Sequence, residues 1–294
     1  MHKVLYDCDN TMGVQGRDVD DGLTLLYLLG RDDVEIAGIT TTYGNSTIDI
    51  VHENTQRMFN DLNIKDIPLF KGAASKDNRK SEAAEFLADT ADKYKGEITL
   101  LATGSLTNLL GAYELDNNFF SNLKQIVMMG GIQKPLVING KVLEELNFSC
   151  DPEATLKVLS SDCRVTVMTG HICLQALFGK IELERLLNND SRYIYKYISK
   201  SAGDWYKFVM NEFGIEGFYN WDIVAGVYIT HPELFDENIL YISLTVDDLK
   251  RGYLKQSDDI TGSYRVNIPT TINDVSFFND IIFKAWESIK TAKG

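Results

Sequence analysis

No apolar run in this chain approaches the roughly 20 residues a helix needs to span a bilayer. The opening segment, MHKVLYDCD, reads as a strand and not as a signal peptide, so a cytoplasmic location is expected. Positive charge is scarce: 29 basic against 42 acidic residues leave a formal charge of −13, which repels nucleic acid and anionic membranes and suits a carboxylate cluster awaiting a cation. Cysteine is sparse too. Cys8, Cys150, Cys163 and Cys173 have neither paired metal-ligand spacing nor a secretory context, and they read as buried reduced thiols. Repeats and low-complexity linkers are missing, which favours one domain over residues 1–294.

What is present is alternation. Short apolar runs at residues 4–6, 34–40, 98–103 and 125–129 interleave with helical stretches at 21–30, 48–62 and 106–114. This βαβα pattern predicts an α/β fold with an open, mostly parallel sheet flanked by helices on both faces. Further on, residues 152–160 read as a helix, 165–169 as a strand and 191–213 as a long helical region holding an isolated Gly203. Helices at 221–230 and 274–290 flank two late strands, 240–246 and 264–268. Ligands of such sheets lie beyond the carboxyl ends of the strands, where this chain places Asp7-Cys8-Asp9, Thr42-Tyr43-Gly44-Asn45, Thr103-Gly104-Ser105 and Met129-Gly130-Gly131.

The first of these loops is the most informative. Strand alternation sends Asp7 and Asp9 to the same side, where they repel unless a proton or cation intervenes. The next helix opens with Asp18, Asp20 and Asp21. A helix dipole accounts for acidic residues there, but together with the strand-end pair they supply the hard oxygen donors that Ca²⁺ or Mg²⁺ prefers. Two families fit. The run Tyr6-Asp7-Cys8-Asp9-Asn10-Thr11 resembles the DxDxT opening of haloacid-dehalogenase-type Mg²⁺ phosphatases, which would make Asp7 the nucleophile and Asp9 the acid/base. That resemblance leaves unexplained Asp20-Asp21, the segment from Gly38 to Asn45, and the segment from Glu145 to Ala154.

Those segments resemble the calcium-dependent nucleoside hydrolases, the inosine-uridine preferring N-ribosyl hydrolases. That family reads DxDPGxDDAxAL, GITTxxGN, ATGxLTN, MGG, ExNxxxDPEA and, late, an aromatic or His followed by Asp. Here the matches are Asp7/Asp9 with Asp20/Asp21, the stretches 38–45 and 102–108, Met129-Gly130-Gly131, the stretch 145–154, and Trp221-Asp222, in order over most of the chain. The resemblance implies a homo-oligomeric, dimeric or tetrameric enzyme that hydrolyses the N-glycosidic bond of ribonucleosides to free base and ribose. By it, Asp9, Asp21, Asp222 and the carbonyl of Thr103 would bind Ca²⁺, and Asp9 would also take a proton from the calcium-bound water. Asp20, Asn45, Glu145 and Asn147 would hydrogen-bond the ribose hydroxyls, with Met129 packed nearby. Asp151-Pro152-Glu153 reads as structural, an Asp N-cap with proline in the first helical turn.

Two departures stand out. More residues separate Asp9 from Asp20 than in the family's compact opening, so a loop at 11–17 must bulge outward, and Asp18 is a further possible participant. Trp221 also stands where members of broad base preference carry a proton-donating His; an indole cannot serve as that acid but can stack on a base, which leans the expectation toward purines. His171, at a strand end, is a further possible pocket residue, and a catalytically weakened ribose-binding member is a third reading.

Overall fold

The structure is a computed structural model, and it describes residues 1–189 and 192–289. Eight strands form the central sheet: β1 (His2–Cys8), β2 (Val34–Thr41), β3 (Leu69–Lys71), β4 (Ile98–Ala102), β5 (Gln125–Met129), β6 (Val165–Met168), β7 (Ile239–Ile242) and β8 (Tyr264–Asn267). Their spatial order is β7-β8-β6-β5-β4-β1-β2-β3. Every pairing is parallel except that of the edge strand β7 with β8. After β1 the chain builds outward through β2 and β3, then returns to lay β4 on the other flank of β1. That reversal opens a crevice at the carboxyl ends of β1 and β4, where open α/β sheets hold their ligands.

Alternation along the strands divides the core in two. Val4, Tyr6 and Cys8 face one side with Leu101 and Val127, while Leu5 faces the other with Leu100, Ile126 and Met128. On the first face pack α1 (Asp20–Leu29), α2 (Ile48–Leu62), α6 (Tyr193–Phe213), α7 (Trp221–Thr230) and α8 (Val275–Ser288); on the second pack α3 (Glu82–Lys93), α4 (Thr107–Leu115) and α5 (Pro152–Leu159). Each fully buried Leu or Phe contributes about 1.5–3 kcal/mol of transfer free energy. Trp286 of α8 is fully buried, and its indole N–H donates to the Leu23 carbonyl at 3.2 Å, fixing α8 to α1. No described helix is long and apolar enough to cross a membrane.

The predicted architecture is the observed one, with local corrections. The strand expected at 240–246 ends at Ile242, because Thr245 caps a helical turn, Val246–Leu249, by accepting from the Asp248 amide at 3.2 Å. The long helix runs Tyr193–Phe213 and the last one Val275–Ser288; the expected end residues Ser191 and Lys290 lie outside the described residues. Sequence reasoning missed α3, which Ser81 caps by accepting from the Ala84 amide. It also missed a hairpin of Leu136–Ile138 with Lys141–Leu143, although Asn139-Gly140, both with positive φ, is a strong hairpin-turn signal.

Candidate active site

Asp9 follows the last residue of β1 and is fully buried. Two neighbouring loops close on it. The Asn45 backbone N–H donates to Asp9 Oδ2 at 2.5 Å and the Asn45 side-chain amide to Oδ1 at 3.2 Å. A Cβ at Gly44 would stand 2.1 Å from Asp9 Oδ2, and one at Gly104 would meet Asp9 Cγ at 3.1 Å and Thr42 Cγ2 at 2.6 Å. Glycine is required at both positions by close approach. We expect Gly44→Ala to lower turnover by on the order of 100-fold, the effect of misplacing a reacting group by about an ångström, with cooperative melting retained; activity near wild type would show that the contact is dispensable.

Helix α1 brings the next carboxylates. Asp20 and Asp21 occupy its first turn, 2% and 1% exposed. Thr103, just past β4, donates from Oγ1 to Asp21 Oδ1 at 2.7 Å, and the Tyr6 hydroxyl donates to the Asp21 carbonyl at 3.1 Å. Asp222 comes from the first turn of α7, 3% exposed, and its backbone N–H donates to Asp20 Oδ2 at 3.3 Å. One carboxylate oxygen from each of Asp20, Asp21 and Asp222 lies within 4.8 Å of the others. The Asp9 carboxyl touches that of Asp21, and the half-buried Asp18 touches that of Asp20. Burial drives the pKa values of all five upward, and the charges of neighbouring carboxylates push in the same direction at each.

The N-termini of α1 and α7, which carry Asp20, Asp21 and Asp222 in their first turns, do not offset that repulsion. The donor set tests what would. It consists of hard oxygens without His or Cys, and Asp21 Oδ2 is buried with no hydrogen-bond partner. Such a set fits a hard divalent cation, for which anionic oxygens and loose geometry suffice. Thr103 also offers its carbonyl, which accepts from Asn147 Nδ2 at 3.1 Å.

A cavity of about 290 Å³ opens onto this cluster. Asp20, Asn45, Thr103, Met129, Glu145, Asn147, Trp221 and Asp222 line it, and Asp9 and Asp21 lie buried next to the lining. Asn147 donates to the carbonyls of Thr103 and Met129, at 3.1 and 3.0 Å, which leaves its oxygen free to accept. Glu145 accepts from the backbone N–H groups of Gly131, Phe148 and Ser149 at 2.9–3.1 Å, a fold role in addition to its place in the wall. Burial raises its pKa against the pull of those amides.

Apart from Asp18 and Glu144, the rest of the wall is largely apolar, and most of it was missed. Trp205, Val209 and Phe213 line the cavity from one face of α6, and Leu136, Ile138 and Leu143 from the hairpin. The i, i+4, i+8 spacing on α6 was the available signal. Tyr219 meets Trp221 with ring centroids 5.3 Å apart at 55°. Asp18 also reaches the lining, delivered by a loop whose base is pinned: Thr11 Oγ1 donates to the Asp18 carbonyl and Asn54 to the carbonyls of Asn10 and Met12. Residues 13 and 15–17 of this loop are exposed, the outward bulge expected from the sequence.

Asp7 and His171 fall outside the cavity, and Asp151 is the helix cap that the sequence predicts. Asp7, the nucleophile of the phosphatase reading, is fully buried, accepts from Thr40 Oγ1 at 2.6 Å and Asn108 Nδ2 at 2.8 Å, and does not line the cavity. Its pKa is pushed to about 7 by burial, and it serves as a brace between β1, β2 and α4. His171 also lies outside the lining, near Lys134, with burial lowering its pKa. Asp151 caps α5 by accepting from the Ala154 amide at 3.1 Å, and Arg79 clamps the same carboxylate.

Residues 4–279 match the family described as inosine-uridine preferring nucleoside hydrolase. The chain belongs to that family. It is 28% identical over 247 residues to uridine nucleosidase 1 of Arabidopsis thaliana, an alignment covering 74% of this chain and 72% of that one. It is 27% identical to a pyrimidine-specific ribonucleoside hydrolase of Shewanella oneidensis, over 85% of this chain and 84% of that one. Among solved structures, a purine-preferring ribonucleoside hydrolase from Gardnerella vaginalis superposes with a TM-score of 0.84 at 21% identity, covering 98% of this chain and 99% of that one. This nucleoside hydrolase is thus an N-glycosyl hydrolase, and the phosphatase reading falls with Asp7's confinement.

Proposed function

We propose that the enzyme cleaves the N-glycosidic bond of ribonucleosides with Asp9 as general base, and with Asp9, Asp21, Asp222 and the Thr103 carbonyl holding Ca²⁺. The observation that carries this reading is the meeting of buried carboxylates from residues 9, 20, 21 and 222 beside a cavity of nucleoside scale. A bound calcium ion would supply a positive charge that acidifies a nearby water and takes up the sugar's vicinal hydroxyls. This chain's residues do the remainder. Asp20, Asn45, Glu145 and Asn147 orient the ribose, and Met129 packs beside it. Asp9, held by two donors from Asn45, accepts the proton of the attacking water. The carboxylates beneath the anomeric carbon favour the positive charge that develops there as the bond to the base breaks.

Trp221 walls the cavity on the residue preceding Asp222, so a base stacked on its indole stays in register with a sugar held by Asp20 and Asp222. A two-ring base gains more from that face than a one-ring base, which supports purine ribosides as substrates. The test is release of free base and ribose from a panel of ribonucleosides in calcium. Trp221→Ala is expected to lower kcat/KM for purine ribosides about tenfold, the scale of one aromatic stacking contact, and to affect a substrate without a stackable base far less. Equal losses on both would remove the stacking role, and absence of ribose release from every nucleoside would remove the proposed reaction.

A further inference from the structure

We propose that Tyr6 is a positioning residue for the cation: its phenol and the Thr103 hydroxyl together hold one carboxylate oxygen of Asp21, so that only the other oxygen is offered to the metal. The inference rests on the divalent-cation reading of the site and extends it to a residue outside the cavity lining.

Tyr6 stands on β1 directly before Asp7. Strand alternation sends it, with Val4 and Cys8, to the face covered by α1 and α7. Its side chain is fully buried in that apolar layer, where a hydroxyl without partners is costly. Among the described residues its partners are Asp21 and Thr103. The phenol oxygen lies 3.1 Å from the Asp21 carbonyl oxygen, 3.3 Å from Asp21 Oδ1 and 3.1 Å from Thr103 Oγ1. Thr103 Oγ1 in turn lies 2.7 Å from Asp21 Oδ1.

The protons available decide what this triangle does. Each hydroxyl carries one. When Thr103 donates to Asp21 Oδ1, the phenol donates to the Asp21 carbonyl; when Thr103 donates to the phenol oxygen, the phenol proton goes to Oδ1. Either arrangement puts a donor on Oδ1 and leaves Oδ2 as the free end of the carboxylate. Oδ2 is the oxygen that lies buried without a hydrogen-bond partner. Asp21 is thereby fixed as a one-oxygen ligand beside Asp20 and Asp222, with which it forms the cluster of oxygens within 4.8 Å of one another. The phenol also touches Thr103, whose carbonyl is another proposed ligand, so a single hydroxyl braces two of the four. Partners of this kind orient a metal's ligands, and losing one lowers metal affinity by about 10- to 100-fold.

The test is calcium binding, measured by isothermal titration calorimetry on chelator-treated, folded protein: wild type, Tyr6→Phe and Tyr27→Phe. Tyr27 is the control. It is a fully buried tyrosine of α1 whose hydroxyl bonds Thr230 at the far end of α7, so its loss loosens the same pair of helices without touching a carboxylate. We expect Tyr6→Phe to raise the calcium dissociation constant about 10- to 100-fold and Tyr27→Phe to leave it near the wild-type value. Thr103→Val removes the other hydroxyl and keeps the carbonyl; it should lose affinity on the same scale, and in the double variant the two losses should not multiply, because both act through Asp21. Wild-type affinity in Tyr6→Phe, an equal loss in Tyr27→Phe, or losses that multiply in the double variant overturn the positioning role and leave the cation reading standing. Should Tyr6→Phe fail to fold, wild-type affinity in Thr103→Val overturns it equally. No calcium binding by the wild type overturns the cation reading and this inference with it.

Discussion

Asp9→Ala is expected to hydrolyse ribonucleosides at less than about one-thousandth of the wild-type rate while melting as a folded protein, a loss within the range of a general base. The side chain is fully buried, and its partners are the two Asn45 donors and the neighbouring Asp21 carboxyl. Its removal strands two donors, which costs stability, but also takes one negative charge out of a crowded cluster, which restores some. The two effects oppose each other in the calcium-free protein, so its melting temperature should move little; the variant should lose part of the stabilisation by calcium, and turnover should collapse. Circular dichroism and thermal denaturation establish the fold, and ribose release measures the chemistry. A folded Asp9→Ala protein with turnover within tenfold of wild type would require a different base.

Stripping divalent cations with a chelator should lower the melting temperature and abolish turnover together, and calcium should restore both. The carboxyls of Asp9, Asp20, Asp21 and Asp222 are at most 3% exposed, and burial disfavours their charged forms. A cation that binds the folded but not the unfolded chain stabilises it by about 2.7 kcal/mol at a hundred times its dissociation constant. For a chain of 294 residues that corresponds to roughly 4 °C. Differential scanning calorimetry against calcium concentration reads the shift directly. A melting temperature indifferent to calcium and chelator would mean that protons alone neutralise the cluster.

The sequence was most legible where local pattern and chemistry coincide. The end of β4 could be read to within a residue because its apolar run stops at Thr103, whereas β1 runs on through Asp7 and Cys8 past the apolar run 4–6; the start of α5 could be read because Asp151-Pro152 is an N-cap followed by a first-turn proline. The gathering of Asp9, Asp20, Asp21 and Asp222 was legible through a family resemblance and not through spacing, since Asp222 lies 202 positions from Asp20. The apolar half of the cavity was harder. Trp205 and Phe213 look like any amphipathic helix face, and nothing local says that this face turns toward a ligand as well as a core. The hairpin that supplies Leu136 and Leu143 is only three residues per strand, too short for alternation to announce it. Asp18 was ambiguous for another reason: its position depends on how the loop before it is pinned, and that follows from Asn54, far along the chain on α2.

The amide of Asp222 reaching back to Asp20 has a consequence for how the molecule matures. Strands near the amino terminus and a helix about three-quarters of the way along must both be in place before the oxygens converge, so a nascent chain lacking α7 owns only part of the grip. Cation uptake by this cluster would therefore be a property of the finished topology, and ion affinity would serve as a gauge of assembly that secondary-structure signals, which arise earlier and locally, do not provide.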